Sequence, residues 1–202
     1  MLRSSTPALR AATLTRPSRS LGAWLVAASM AGLLAAPTPL RAQVAVAKDA
    51  RRATATTVLL VRHAEKAAEP AADPPLTPDG EARAQALVTV ARDAGVTAIV
   101  TTQFQRTRLT AAPLAQALGI TAEVVNARGT DHPREVARLV LERHAGETVL
   151  VVGHSNTIPD IVAALGAPHP GVIADSTHDN LFIVTVPAEG KARLVRARYG
   201  RP

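Results

Sequence analysis

Three short apolar runs, Val58-Leu59-Leu60-Val61, Ala98-Ile99-Val100 and Thr148-Val149-Leu150-Val151-Val152, are unbroken by charge and are separated by segments of helical periodicity. A continuous run of this length suits a strand covered on both faces in a parallel sheet, not one with a wet side. Between the first two runs, Thr77-Pro78-Asp79-Gly80-Glu81 reads as a helix start, with Thr77 as cap and Pro78 in the first helical position. Apolar residues from Ala82 through Leu87, Val90 and Ala91 continue the helix until Gly95. Thr110 to Leu118 is expected to be a second helix, because a cap at Thr110 puts Pro113 in the first turn, where its missing N–H is harmless. Glu123 to Val125 reads as a short strand and His132 to His144 as a third helix; a fourth carries Ile158, Ile161, Val162 and Leu165, with Ser155 as cap. Leu181 to Val186 and Ala192 to Ala197 flank Pro187-Ala188-Glu189-Gly190 as a hairpin. This order predicts an α/β three-layer sandwich over residues 57–202, with a mainly parallel sheet, helices on both faces and a C-terminal edge hairpin.

The chain has 202 residues and is 47% hydrophobic, enough for one domain with a real core. Its net charge of +7 invites a nucleic-acid or membrane reading, but the charge is unevenly placed. Arg3, Arg10, Arg16, Arg19 and Arg41 lie in the first 42 residues, which hold no acidic residue, and the remainder carries 18 basic against 16 acidic side chains. With aromatics at 2%, stacking surfaces for bases are scarce, and nucleic acid is set aside as a partner. Residues 1–42 look like a secretory signal peptide: a basic stretch, an apolar run from Leu21 to Ala36, then Pro37-Thr38-Pro39. Cleavage after Ala42 or after Ala47 is equally compatible with the small residues there. A run of sixteen residues broken by Gly22, Ser29 and Gly32 is short against the roughly 20 of a spanning helix, so membrane attachment is expected only if the segment is retained. Residues 43–56 read as a linker, and the expected location is periplasmic or secreted. No cysteine is present, which removes disulfides and thiolate metal sites from consideration.

In an open parallel sheet, ligands bind beyond the carboxyl ends of the strands. Arg62-His63 follows the first run, Thr101 to Arg106 the second, and Gly153-His154-Ser155-Asn156 the third. Each segment brings groups suited to a phosphoryl anion: guanidinium forks, imidazoles and the free N–H groups of a helix start. A metal site is not expected, since no histidines stand at the i, i+4 spacing of a helical zinc site. His132, His144, His169 and His178 have no supporting motif and are expected at the surface, although His178 and Asp179, in the loop before Leu181, could reach the crevice.

Arg62-His63-Ala64-Glu65, Arg106-Thr107-Arg108-Leu109-Thr110-Ala111 and Gly153-His154-Ser155-Asn156 resemble, in order, the three signature segments of the histidine phosphatase superfamily, also called phosphoglycerate mutase-like. Each string alone is weak; three in order, each after an expected strand, are specific. The resemblance runs from about Thr57 to Val186. It implies a phosphatase in which His63 becomes phosphohistidine while Arg62, Arg106 and His154 bind the phosphoryl oxygens, with Thr107 and Asn156 as supporting donors. It implies no cofactor and no metal, and a small phosphorylated substrate or an exposed phosphate group as partner. The family's acid for the leaving group is not matched: Ser155 follows His154, and Glu65, Asp79, Asp131 and Asp179 stand as candidates, Glu65 and Asp179 foremost. A phosphomutase, or a phosphate-binding module without turnover, are the alternative readings of the same motifs.

Overall fold

The computed structural model describes residues 54–202, so the signal-peptide and cleavage expectations, and most of the linker, lie outside the described residues. In chain order the elements are β1 (Thr56–Arg62), α1 (Pro78–Ala91), β2 (Val96–Thr101), α2 (Gln105–Leu118), β3 (Glu123–Val124), α3 (His132–Arg143), β4 (Thr148–Gly153), α4 (Ile158–Ala164), β5 (Asn180–Val186) and β6 (Arg193–Arg198). They form one six-stranded sheet of order β3-β2-β4-β1-β5-β6. β3, β2, β4 and β1 run parallel, β5 pairs antiparallel to β1, and β6 closes the edge as a hairpin with β5. The mainly parallel sheet with an edge hairpin is the expected α/β architecture.

The reason the strands are apolar throughout is visible in their alternation. Val58 and Leu60 of β1, Val149 and Val151 of β4, and Ala98 and Val100 of β2 face α3 and α4, where they meet Val136, Val140, Ile158, Ile161 and Val162. Leu59, Val61, Leu150, Val152 and Ile99 face the other way, against Leu87 of α1 and Ala111 and Leu114 of α2. Successive side chains of a strand point to opposite faces, so a sheet covered on both sides leaves no position for a polar residue.

Two helix starts differ from expectation. α2 begins at Gln105, five residues before Thr110, and Pro113 lies inside it. The Gln105 N–H is satisfied by Asp73 Oδ1 at 2.8 Å, a carboxylate from the loop after β1, so the helix is capped from a distance. Ser155 does not cap α4: its hydroxyl donates to Asp175 Oδ1 at 3.3 Å, and the position before the helix is occupied by Thr157. α1 starts as expected, with Thr77 Oγ1 accepting from the Gly80 N–H at 3.1 Å.

The loop leaving β1 is clamped onto α1. The Thr77 N–H donates to the Glu65 carbonyl at 2.9 Å, and the Arg83 guanidinium holds the Glu65 carboxylate through three hydrogen bonds of 2.7 to 3.0 Å. A Cβ at Gly80 would overlap the Glu65 carbonyl oxygen. Gly80→Ala is therefore expected to destabilise by about 1–3 kcal/mol through overpacking, against the stabilisation that alanine ordinarily gives a helix. The urea midpoint checks this; a midpoint equal to or above that of the parent would show that the loop yields freely.

Candidate active site

The strand order places β2, β4 and β1 side by side, so their carboxyl ends share one rim. The His63 N–H continues the ladder past β1, donating to the Gly153 carbonyl at 2.9 Å, which fixes the first histidine beside the turn that carries the second. At Gly153 a Cβ would stand 2.9 Å from Ile158 Cδ1 and 3.0 Å from Thr157 Oγ1, so a side chain there would crowd the turn that carries His154. The His154 N–H donates to Thr157 Oγ1 at 3.0 Å. The two rings meet edge to face with centroids 5.4 Å apart.

Each ring is oriented by a polar neighbour. His63 Nδ1 lies 2.8 Å from the Ala64 carbonyl, and a carbonyl only accepts, so Nδ1 carries the proton and the lone pair of the neutral ring is on Nε2. Burial drives the His63 pKa down to about 4, with Arg62, Arg106 and His178 adding charge repulsion, so the ring is neutral at ordinary pH. His154 is depressed further, to about 3, by burial and then by His63 and Arg106. Its Nε2 is 3.1 Å from Thr102 Oγ1, and that hydroxyl is 3.0 Å from Thr107 Oγ1. Thr102 can donate to the ring or accept from it, and so serves either protonation state of His154.

Both arginines border this pair. Arg62 is 6% exposed and its Nη1 donates to the carbonyls of Ala174, Asp175 and Thr177 at 2.9 to 3.2 Å. Arg106, in the first turn of α2, lies over the Phe104 ring at 4.2 Å, and Phe104 in turn packs edge-on against His154 at 5.5 Å. Asp73 is 3.9 Å from Arg106 Nη1. The Nε–H groups of Arg62 and Arg106 are buried without a hydrogen-bond partner among the described residues. Buried donors of this kind are costly unless something accepts from them, and the two guanidiniums repel each other beside a pair of imidazoles, an arrangement suited to an anion. A cation at a helix start likewise opposes the helix dipole unless it faces negative charge.

The structure thus brings His63, His154, Arg62 and Arg106 together. It uses the other expected residues differently. Thr107 is fully buried, its hydroxyl bonded to Thr102 and to the Phe104 carbonyl at 2.8 Å, so it braces the turn. Asn156 is exposed and makes no hydrogen bond to the site. Both foremost acid candidates are engaged by arginines. Burial favours the neutral Glu65 carboxyl, but the Arg83 fork outweighs it and holds the pKa below its ordinary value. Asp179 is 4% exposed, with both oxygens on Arg198 Nη1 at 2.6 and 2.7 Å. Asp79 and Asp131 belong to the starts of α1 and α3.

Sequence reasoning missed Thr102 and Thr110 as positioning residues. Thr110 Oγ1 accepts from the Ala64 N–H at 2.9 Å and donates to the Arg106 carbonyl at 2.7 Å, tying the first motif to the second. The surface expectation for the remaining histidines also needs correction. His169 is exposed, but His132 is 2% exposed, and His144 is pinned between Glu123 at 2.7 Å and Glu147 at 3.0 Å. His178 is half-buried, with its ring centroid 5.9 Å from that of His63. Among the described residues no three His, Cys, Asp or Glu side chains are grouped so as to hold a metal ion.

Residues 58–127 match the family model described as the histidine phosphatase superfamily, branch 1. That match supports the superfamily for this chain. It spans Arg62, His63 and Arg106. Among solved structures the chain is similar to a protein assigned as the phosphohistidine phosphatase SixA from Nakamurella multipartitia, at 28% identity and a TM-score of 0.52, over 74% of this chain and 99% of the other. The protein histidine phosphatase SixA complexed with tungstate shares the fold at 20% identity and a TM-score of 0.58, over 70% of this chain and 96% of the other. A mycobacterial glucosyl-3-phosphoglycerate phosphatase does so at 18% identity and a TM-score of 0.55, over 73% of this chain and 100% of the other. No curated protein matches the chain.

Proposed function

We propose that this chain is a phosphatase that hydrolyses phosphate groups through a phosphohistidine on His63, without a metal ion. The observation that carries the proposal is the pair of neutral imidazoles 5.4 Å apart, bordered by two arginines whose buried Nε–H groups lack an acceptor among the described residues. Phosphoryl transfer asks a protein mainly to place reactants in line and to neutralise the equatorial oxygens. His63 Nε2 attacks phosphorus as the bond to the leaving oxygen breaks, while the Ala64 carbonyl holds the Nδ1 proton as the ring gains positive character. Arg62, Arg106 and His154 take the three oxygens. Water then attacks the phosphohistidine and the ring recovers its lone pair. The N-terminal segment supports a periplasmic or extracellular place of action, on substrates that reach that compartment.

Both a small phosphate monoester and a phosphohistidine, the substrate class named for the structurally similar proteins, fit a site of this composition. The test is release of inorganic phosphate from a panel of monoesters, pyrophosphates and phosphoramidates, with and without a chelator. Release from at least one class, undiminished by chelator, is expected. A protein that binds phosphate yet turns over none of the panel would be a binding module, and chelator-sensitive turnover would require a metal; either result overturns the proposal. A phosphomutase would instead pass the group to a second hydroxyl and free little phosphate.

A further inference from the structure

With both carboxylate candidates held by arginines, the proton that a poor leaving group needs must come from elsewhere in the crevice. His178 is a titratable side chain packed against His63 there. β5 runs antiparallel to β1 with Val61 opposite Leu181, so the residues just before β5 come to lie beside the residues just after β1. His178 Nδ1 is 3.0 Å from the His63 carbonyl and must be the donor to it, which anchors the ring on the backbone of His63 itself. The ring centroids of the two histidines are 5.9 Å apart, with the His178 ring half-buried at the rim. His63 faces it from the end of β1, and Glu65 from the following loop is near enough to interact with its charge. Asp179, its chain neighbour, turns away to Arg198.

We infer that His178 is the proton donor to the leaving group and the base for the second half-reaction, a role that rests on the phosphatase reading above. With Nδ1 committed to the backbone, Nε2 is the exchangeable position. In the first step the Nε2–H of the imidazolium gives its proton to the leaving oxygen as the P–O bond breaks and the bond from His63 Nε2 to phosphorus forms. In the second, neutral Nε2 takes a proton from the water that attacks phosphorus, and the P–N pair returns to His63. Each cycle therefore ends with His178 reprotonated and His63 neutral. An imidazole that instead bound an equatorial oxygen would act on every substrate alike.

The experiment measures kcat/KM for wild type, His178→Asn and His178→Ala on phosphate monoesters whose leaving groups range from nitrophenol to simple alcohols. Asparagine keeps an N–H near the Nδ1 position to hold the His63 carbonyl and removes the acid. The expected loss in His178→Asn on the alkyl ester exceeds that on the nitrophenyl ester by about 100-fold, the usual scale of general acid catalysis, so the dependence on leaving-group basicity steepens. Added imidazole is expected to restore part of the alkyl activity of His178→Ala. Equal loss across the series, or none, overturns the inference while leaving the phosphatase standing. No turnover of any substrate by wild type removes the phosphatase reading itself.

Discussion

His63→Ala is expected to lose phosphate release by roughly 10⁴-fold or more, the scale on which removal of a nucleophile is felt. The covalent intermediate should disappear with it: a labelled phosphodonor is expected to give wild type an acid-labile, alkali-stable phosphoenzyme and to give the variant none. His154→Ala should lose less, because the bond-forming nitrogen survives. The pH dependence carries a sharper signature. Nucleophilic attack needs the neutral ring, and burial has lowered the His63 pKa to about 4. For a nitrophenyl ester, whose leaving group asks little of a proton donor, and after correction for substrate ionisation, kcat/KM should be flat down to that region and fall below it as the ring gains a proton. Stability follows the same proton. In the unfolded chain the ring takes a proton near the ordinary imidazole value, whereas the folded chain resists until about 4, so stability drops as pH falls through that window. His63→Gln should flatten that part of the slope. Retention of a stable phosphoenzyme in His63→Ala would place the nucleophile elsewhere.

What local sequence could reveal here is what local chemistry decides. The strands announce themselves because every position of Val58 to Val61 and Val149 to Val152 is buried in one of two cores. Arg62, His63 and His154 are legible because each lies within two residues of the end of such a run. The start of α2 is not, since its cap is Asp73, more than thirty residues away, and its buried stripe is Thr107, Thr110, Ala111 and Leu114. That stripe has helical spacing, i, i+3, i+4, i+7, but three of its four members are too small or too polar to register as an apolar face. Weighting buried threonines as core residues would have found it. The same holds for Thr102, whose partners His154 and Thr107 are assembled only by the fold. His178 has no motif of its own; antiparallel pairing of β5 with β1 is what brings it to His63.

Arg62 does two jobs with one side chain, and that predicts a substitution pattern distinct from Arg106. Its Nη1 serves the carbonyls of Ala174, Asp175 and Thr177, tying the segment before β5 to the end of β1, while its Nε–H has no acceptor among the described residues and, in the proposed reaction, faces the anion. Arg62→Ala removes both functions: kcat/KM is expected to fall by about 10³-fold, as for loss of a preorganised charged donor. Stability should drop by about 1–2 kcal/mol, kept small because the released carbonyls lie near the surface and can find water. Arg106→Ala should match the kinetic loss with a smaller change in stability, since its contacts are a ring face and one carboxylate at 3.9 Å. Arg62→Lys retains the charge but has no planar fork with which to bind three carbonyls on one side and an oxyanion on the other, so it should behave much more like alanine than like arginine. Activity assays paired with denaturant melts of the three variants decide the matter. If Arg62→Lys kept activity within tenfold of the parent, the fork would be irrelevant, and Arg62 would count only as a positive charge.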